Sequence, residues 1–350
     1  MKLAIITLYD YYNYGSYLQA WAMQEYLKSL GNNVFFVKTQ NLRRRLRRGF
    51  NSHNKLLFDA KKELVFQKDF FYLHQISKNE LTNHKIDGVI IGSDELWNAD
   101  NDAFNQYPFY YGIGYEKIPT LVYAMSLGNG DYNTLQKKKY AAEGIKNLQN
   151  IYARDKNTAD AIGQVCGRKI DLVCDPTLLI EKERYLFSKE KSKKERYILI
   201  YSYDMPAFLQ EHIQKIAADK DLKIISACFQ TKCADRVVNC NPLSFPRLVV
   251  DAEIVVTSTF HGSLFSVLFN KQLVVLPYAK KTIDFLRMLH LERVIIEENC
   301  LYERFKKAIE NPIDYSDANK KIMMLQQKSR KILNDFLEDS LEKVSREGSI

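Results

Sequence analysis

The sequence has 350 residues, too many for one comfortable hydrophobic core, so two domains of about 150 residues each are expected. Its 46% hydrophobic and 27% charged residues exclude a disordered or collagen-like chain, and 22 Tyr and 19 Phe predict bulky, ring-filled packing. The net charge of +9 raises nucleic acid, an anionic membrane surface and a phosphorylated substrate as partners.

Residues 3–8 form a short apolar run that reads as a buried parallel strand. The run is too short for a secretory leader and no small-residue cleavage site follows it, so the cytoplasm is the expected compartment. A polar loop then leads into a helical pattern over 16–30. Leu18, Ala22, Met23, Tyr26, Leu27 and Leu30 form its apolar stripe and Gly31 supplies the stop. A strand at 33–38 completes a strand–helix–strand unit. Five arginines follow, Arg43, Arg44, Arg45, Arg47 and Arg48. Residues 1–180 hold 23 basic and 18 acidic side chains, so these five equal the whole +5 excess of that half. The basicity is therefore local, and with no nucleic-acid-binding motif beside it, nucleic acid is not an expected partner. A helical stretch at 54–73 precedes strands at 86–91, 120–125, 150–153 and 170–174.

A charged break at 183–195 is the expected domain boundary. The pattern then restarts with strands at 197–202, 223–228, 253–258 and 272–276. Helices are expected at 207–219, 244–252, 263–269 and 282–289. Residues 311–350 carry Ile322, Leu325, Ile332, Phe336 and Leu337 at helical spacing, an amphipathic tail. Strands alternating with helices predict an α/β fold of two Rossmann-like doubly wound domains, 1–182 and 196–310, facing a cleft, with a long C-terminal helix. No stretch approaches the roughly 20 apolar residues that cross a bilayer. The six cysteines include no C-x-x-C pair and read as reduced thiols; neither a metal nor a cofactor is expected.

In doubly wound sheets the ligand meets the loops just after the strands, and four such loops carry chemistry. In Asn13-Tyr14-Gly15-Ser16, Gly15 lets backbone approach a ligand closely, and Ser16 is placed to cap a helix whose free N–H groups favour an anion. Gly92-Ser93-Asp94-Glu95-Leu96-Trp97-Asn98 sets a ring for sugar stacking beside acids for hydroxyls, and Asp94 or Glu95 also suits a general base. Arg154 offers a fork for phosphate or carboxylate, and Asp175-Pro176-Thr177 follows the next strand. In Ser258-Thr259-Phe260-His261-Gly262-Ser263, His261 alone of six histidines sits at a strand end opening a helix, as an acid catalyst beside an anion site would. Ordinary turns, caps and surface pairs stay open as readings of each loop. The fingerprints of nicotinamide oxidoreductases, P-loop ATPases, zinc proteases and α/β-hydrolases are absent.

Taken in order, several segments resemble the polysaccharide pyruvyl transferase family. They are Asn13-Tyr14-Gly15-Ser16-Tyr17-Leu18-Gln19-Ala20, Gly92 through Asn98, Ala124-Met125-Ser126-Leu127-Gly128, Arg154-Asp155, Asp175-Pro176-Thr177-Leu178-Leu179 and Phe260-His261-Gly262. The resemblance implies a GT-B-like arrangement and transfer of a pyruvyl group from phosphoenolpyruvate to two hydroxyls of a sugar. The product would be a ketal on a cell-surface polysaccharide or its lipid-linked oligosaccharide precursor, with phosphate released. By the match, His261, Arg154 and Asp94 form the catalytic set, with His261 as general acid. Arg154, Ser258, Thr259, His261, Gly262 and Ser263 would bind the donor. Asn13, Tyr14, Gly15, Ser16, Ser93, Asp94 and Trp97 would line the acceptor side.

One position departs from the pattern. Many members have an arginine two residues before the histidine, where this chain has Thr259; Lys280 or Lys281 would supply the cation instead. A GT-B glycosyltransferase using a nucleotide sugar, and a non-catalytic glycan-binding relative favoured by Thr259, are the rival readings. On the transferase reading the arginine patch would dock on anionic membrane or a lipid-diphosphate acceptor, each cation worth about 1 kcal/mol.

Overall fold

In a computed structural model of the chain, residues 1–10, 13–38, 61–66, 72–83, 85–101, 107–186, 195–297 and 299–347 are described. The patch of Arg43, Arg44, Arg45, Arg47 and Arg48 lies outside them. So does most of the helix expected at 54–73, of which a helical piece at 61–66 is described.

Seven parallel strands make the first sheet: β1 (Lys2–Ile6), β2 (Asn33–Val37), β3 (Gln75–Ile76), β4 (Gly88–Ile91), β5 (Thr120–Met125), β6 (Asn150–Ala153) and β7 (Asp171–Leu172). Their order is β3-β2-β1-β4-β5-β6-β7. The second sheet contains β8 (Tyr197–Tyr201), β9 (Lys223–Ala227), β10 (Arg236–Val238), β11 (Ile254–Thr257) and β12 (Gln272–Val275), in the order β10-β9-β8-β11-β12. Every strand pairing is parallel. β8, β4 and β11 are continuous apolar runs buried along their whole length, as a sheet covered on both faces requires.

Both orders reverse at the first strand of their domain. The chain winds outward from β1 to β3 and crosses back at β4, then repeats the move from β8 to β10 and back at β11. Registers Ile6↔Ile91 and Tyr201↔Thr257 bring the paired strand ends level. These two switch points are where open α/β sheets hold ligands. Edge strands β3 and β10 have two and three residues, too few to show a period in sequence.

Helix α1 (Tyr14–Ser29) was expected to bury one stripe. Instead every residue from Tyr14 to Gln24 is buried, because α1 is wedged between the two sheets. Tyr14 packs on Phe66, Tyr201 and Phe245 with ring centroids 5.4, 5.7 and 5.0 Å apart, and Trp21 lies 5.6 Å from Tyr185. These rings fill the seam between the domains. Helices α2 (Lys156–Cys166), α3 (Phe260–Leu268) and α4 (Lys280–Met288) follow β6, β11 and β12.

The tail is α5 (Ser316–Glu347), 32 residues and therefore about 48 Å long. Its start is fixed to the second domain, where Tyr315 donates to the Lys271 carbonyl (2.6 Å) and Lys321 to that of Met288 (3.1 Å). Farther along, Ser329 Oγ accepts the Cys174 N–H at 2.9 Å, and Arg330 Nη2 donates to the Leu179 carbonyl at 2.7 Å. The tail straps both domains together. Among the described residues no helix is long and apolar enough to cross a membrane, and none of the six cysteines is in a disulfide.

Candidate active site

The strand ends at the two switch points deliver a set of charged side chains to one place. Asp94 follows β4 with φ of 68°, a left-handed conformation that aspartate tolerates better than most residues. Its carbonyl accepts the Ser126 N–H at 3.0 Å, and its carboxylate accepts Ser16 Oγ from the first turn of α1 at 2.7 Å. Arg154 follows β6. Its Nη1 bonds Asp175 Oδ2 at 2.6 Å and its Nη2 bonds Asp94 Oδ1 at 3.3 Å. Asp175 follows β7, and the Thr177 N–H (3.0 Å) and hydroxyl (2.7 Å) hold its other oxygen.

The second domain supplies the rest. His261 Nε2 stands 3.5 Å from Asp175 Oδ2. Lys281, in the first turn of α4, lies 2.5 Å from Glu95 Oε1 and 3.6 Å from Asp94 Oδ1. Phe260 forms a floor, with the Arg154 guanidinium 4.3 Å and Lys281 Nζ 5.7 Å from its ring centroid. The side chains of Arg154, Asp175 and His261 are 2%, 1% and 7% exposed, so these charges interact with little water between them.

Burial alone would raise the Asp94 carboxyl. Lys281, Arg154 and His261, with the Ser16 hydroxyl, outweigh it and hold that group at about 2. Burial likewise opposes ionisation of Asp175, yet His261, Arg154 and Thr177 push it far below the usual carboxylate range. For Arg154 burial lowers and Asp175, Asp94 and Asp155 raise, with a net upward shift that keeps it charged. One donor stays free and a second is only loosely held. Among the described residues the buried Arg154 Nε has no hydrogen-bond acceptor, and His261 Nε2 makes no closer contact than Asp175 Oδ2 at 3.5 Å. An unmet buried donor costs about 1–3 kcal/mol, so the pair marks where a ligand's acceptor oxygens would be welcome.

Several expected site residues work inside the protein instead. Asn13, not Ser16, caps α1: its Oδ1 accepts the Gly15 N–H at 2.8 Å and the Ser16 N–H at 3.4 Å. Gly15 is needed for an approach to His261 rather than to a ligand, since a Cβ there would lie 2.0 Å from His261 Nδ1. Tyr14 is fully buried in the seam. Ser93 is fully buried and donates to Gln19 Oε1 at 2.8 Å. Trp97 is also fully buried, with Nε1 donating to the Tyr110 carbonyl (2.8 Å) and the ring stacked 5.4 Å from Tyr111, so it offers no face to a sugar.

The donor loop is similar. α3 begins at Phe260, three residues before the start expected from sequence, because Thr259 Oγ1 caps it through the Gly262 N–H at 2.9 Å. Thr259, where many members carry arginine, is thus a helix cap. Gly262 is required here: a Cβ would come 2.2 Å from Thr257 Oγ1. Ser263 donates to the Thr259 carbonyl at 3.0 Å, and Ser258 Oγ accepts Ser202 Oγ at 2.8 Å. Of the two lysines proposed as substitute cations, Lys281 is in the cluster. Lys280 is exposed, and its N–H donates to Asn129 Oδ1 across the seam at 3.0 Å. Asp175, readable in sequence as a turn cap, is both that cap and the nearest partner of Arg154.

A sequence model of the polysaccharide pyruvyl transferase family matches residues 13–280. No curated relative matches the sequence. The fold is similar to that of a UDP-GlcNAc 2-epimerase from Methanocaldococcus jannaschii, solved with UDP-GlcNAc and UDP. That match has 14% identity and a TM-score of 0.52, and covers 93% of this chain and 100% of the other. The Neisseria meningitidis UDP-GlcNAc 2-epimerase bound to UDP-GlcNAc is similar at 12% identity, with 94% and 100% covered and a TM-score of 0.52. An alpha-glucosyltransferase in complex with UDP gives 10% identity, 99% and 100% covered and a TM-score of 0.50. At such identities the likeness concerns the fold alone, a GT-B-like pair of doubly wound domains.

Proposed function

The chain belongs to the polysaccharide pyruvyl transferase family, and from that premise we propose that it moves the pyruvyl group of phosphoenolpyruvate onto two hydroxyls of a sugar acceptor. The observation that carries this reading is the buried Arg154 Nε without an acceptor, beside His261 and Lys281 between facing switch points. Arg154 Nε would take an oxygen of the donor's carboxylate or phosphate, and Lys281 would add a second cation at the same anion. Asp175 and Asp94 fix the guanidinium so that little of its freedom is lost on binding.

The chemistry then needs one acid. His261 delivers a proton to the methylene carbon of phosphoenolpyruvate, leaving carbon 2 as an oxocarbenium ion. A sugar hydroxyl attacks carbon 2 and gives up its proton. The bond from carbon 2 to the phosphate oxygen breaks, and phosphate leaves with the electron pair. A second hydroxyl closes the ketal and loses its proton. The methyl group gains one hydrogen, the released phosphate carries the other, and no water is consumed. On this reading Arg43, Arg44, Arg45, Arg47 and Arg48 would dock on anionic membrane or on a lipid-diphosphate acceptor.

The test is release of phosphate from phosphoenolpyruvate with a panel of glycosides. Wild type is expected to show acceptor-dependent release, and His261→Ala to lose roughly a hundredfold or more of the rate, the usual worth of a positioned acid. Consumption of a nucleotide sugar with no such release would replace the reading by a glycosyltransferase. Equal rates in the variant would remove His261 as the acid.

A further inference from the structure

Trp97, the ring expected to stack on a sugar, is buried in the first domain, which leaves open where an acceptor ring would rest. A different ring stands at the mouth of the cluster. Tyr203 lies in the loop after β8, beside the switch point, and is 60% exposed. Its position is fixed on three sides. Asn13 Nδ2 donates to its hydroxyl across the seam at 2.7 Å, its own N–H donates to Ser258 Oγ at 3.3 Å, and its ring lies 4.8 Å from that of Phe229. Phe229 in turn lies beneath Lys62 Nζ, 5.0 Å from its ring centroid. Burial of the hydroxyl end first, and then the Glu95 and Asp94 carboxylates, push the Tyr203 phenol upward, which sets those acids within its electrostatic reach. A second exposed tyrosine, Tyr278, follows β12, so the His261 loop is flanked on both sides.

We propose that Tyr203 is the platform on which the pyranose ring of the acceptor sugar stacks. A pyranose has an apolar C–H face and a rim of hydroxyls. A held, open aromatic face next to Asn13 and Glu95 matches both halves, and a preorganised ring costs little entropy when it is covered. A sugar resting there lies beside Asn13, at the N-terminus of the helix that carries Ser16, and beside Ser258, at the start of the His261 loop. The acceptor subsite therefore draws its ring from the second domain, not from the first as the motifs imply. The assignment of that sugar as an acceptor rests on the pyruvyl-transfer reading; the platform itself does not.

Full-length wild type, Tyr203→Ala and Tyr203→Phe are compared with a panel of methyl glycosides in two assays: saturation-transfer NMR without phosphoenolpyruvate, and phosphate release with it. The expected result is loss of ring-proton saturation and a roughly tenfold higher KM for the glycoside in Tyr203→Ala, with the KM for phosphoenolpyruvate unchanged. Tyr203→Phe, which keeps the ring, should stay close to wild type. Saturation that depends on Tyr203 without any phosphate release would support the platform while refuting pyruvyl transfer. Unchanged saturation in Tyr203→Ala, equal weakening toward both substrates, or no glycoside contact in wild type would each overturn the proposal.

Discussion

Asp175→Ala is expected to lower the unfolding free energy by about 3–5 kcal/mol, because it leaves the Arg154 guanidinium buried without its nearest partner. Arg154 Nη1 donates to Asp175 at 2.6 Å, the second partner Asp94 is 3.3 Å away, and the arginine side chain is 2% exposed. The same removal frees the Thr177 N–H and hydroxyl that Asp175 now accepts. Urea unfolding at neutral pH measures the loss; a change below about 1 kcal/mol would mean that Arg154 is satisfied by Asp94 alone.

The acid limb supplies a second reading of the same effect. Folded Asp94 and Asp175 both ionise below their unfolded values, so their contribution is present above the usual carboxylate range and is lost as pH falls, that of Asp94 through about 2 and that of Asp175 at still lower pH. Asp175→Ala should flatten that limb.

Gly15→Ala is expected to cost about a hundredfold in turnover while the chain stays folded, an effect of position rather than stability. The added Cβ would lie 2.0 Å from His261 Nδ1 and 2.4 Å from Cγ, closer than real contacts allow. Because α1 is buried from Tyr14 to Gln24, it has no free side toward which to shift. The imidazole or the whole second domain must give way, and either displaces the acid from carbon 2. Circular dichroism with steady-state rates would check this. Wild-type turnover in the variant would show that His261 is not held against α1 during the reaction.

Residues that sit just after central strands were legible in the sequence. Asp94, Arg154 and His261 were each placed by the rule that doubly wound sheets present chemistry at strand ends. What failed depended on packing that the local sequence does not show, across the seam for α1 and Tyr14 and within the first domain for Trp97. The apolar period of α1 shows one stripe, because a sequence window cannot register a second sheet closing over the far side. Tyr14 and Trp97 looked like cleft residues because a ring that stacks on a ligand and a ring that stacks on Tyr111 have the same local sequence. Lys281 was one of two adjacent lysines, and only the turn into α4 decides which one meets Glu95. Ile322, Phe336 and Leu337 announced an amphipathic tail, but not that it straps both domains.

If the chain transfers pyruvyl groups, carbon 2 of phosphoenolpyruvate ends as a ketal carbon on a sugar. Full-length protein incubated with phosphoenolpyruvate carrying carbon-13 at that position, and with the glycoside panel, tests it most directly. A new ketal carbon resonance on a glycoside is expected, with phosphate released in equal amount. Labelled phosphoenolpyruvate recovered intact from every glycoside, while a nucleotide sugar is consumed in the same preparation, would contradict it.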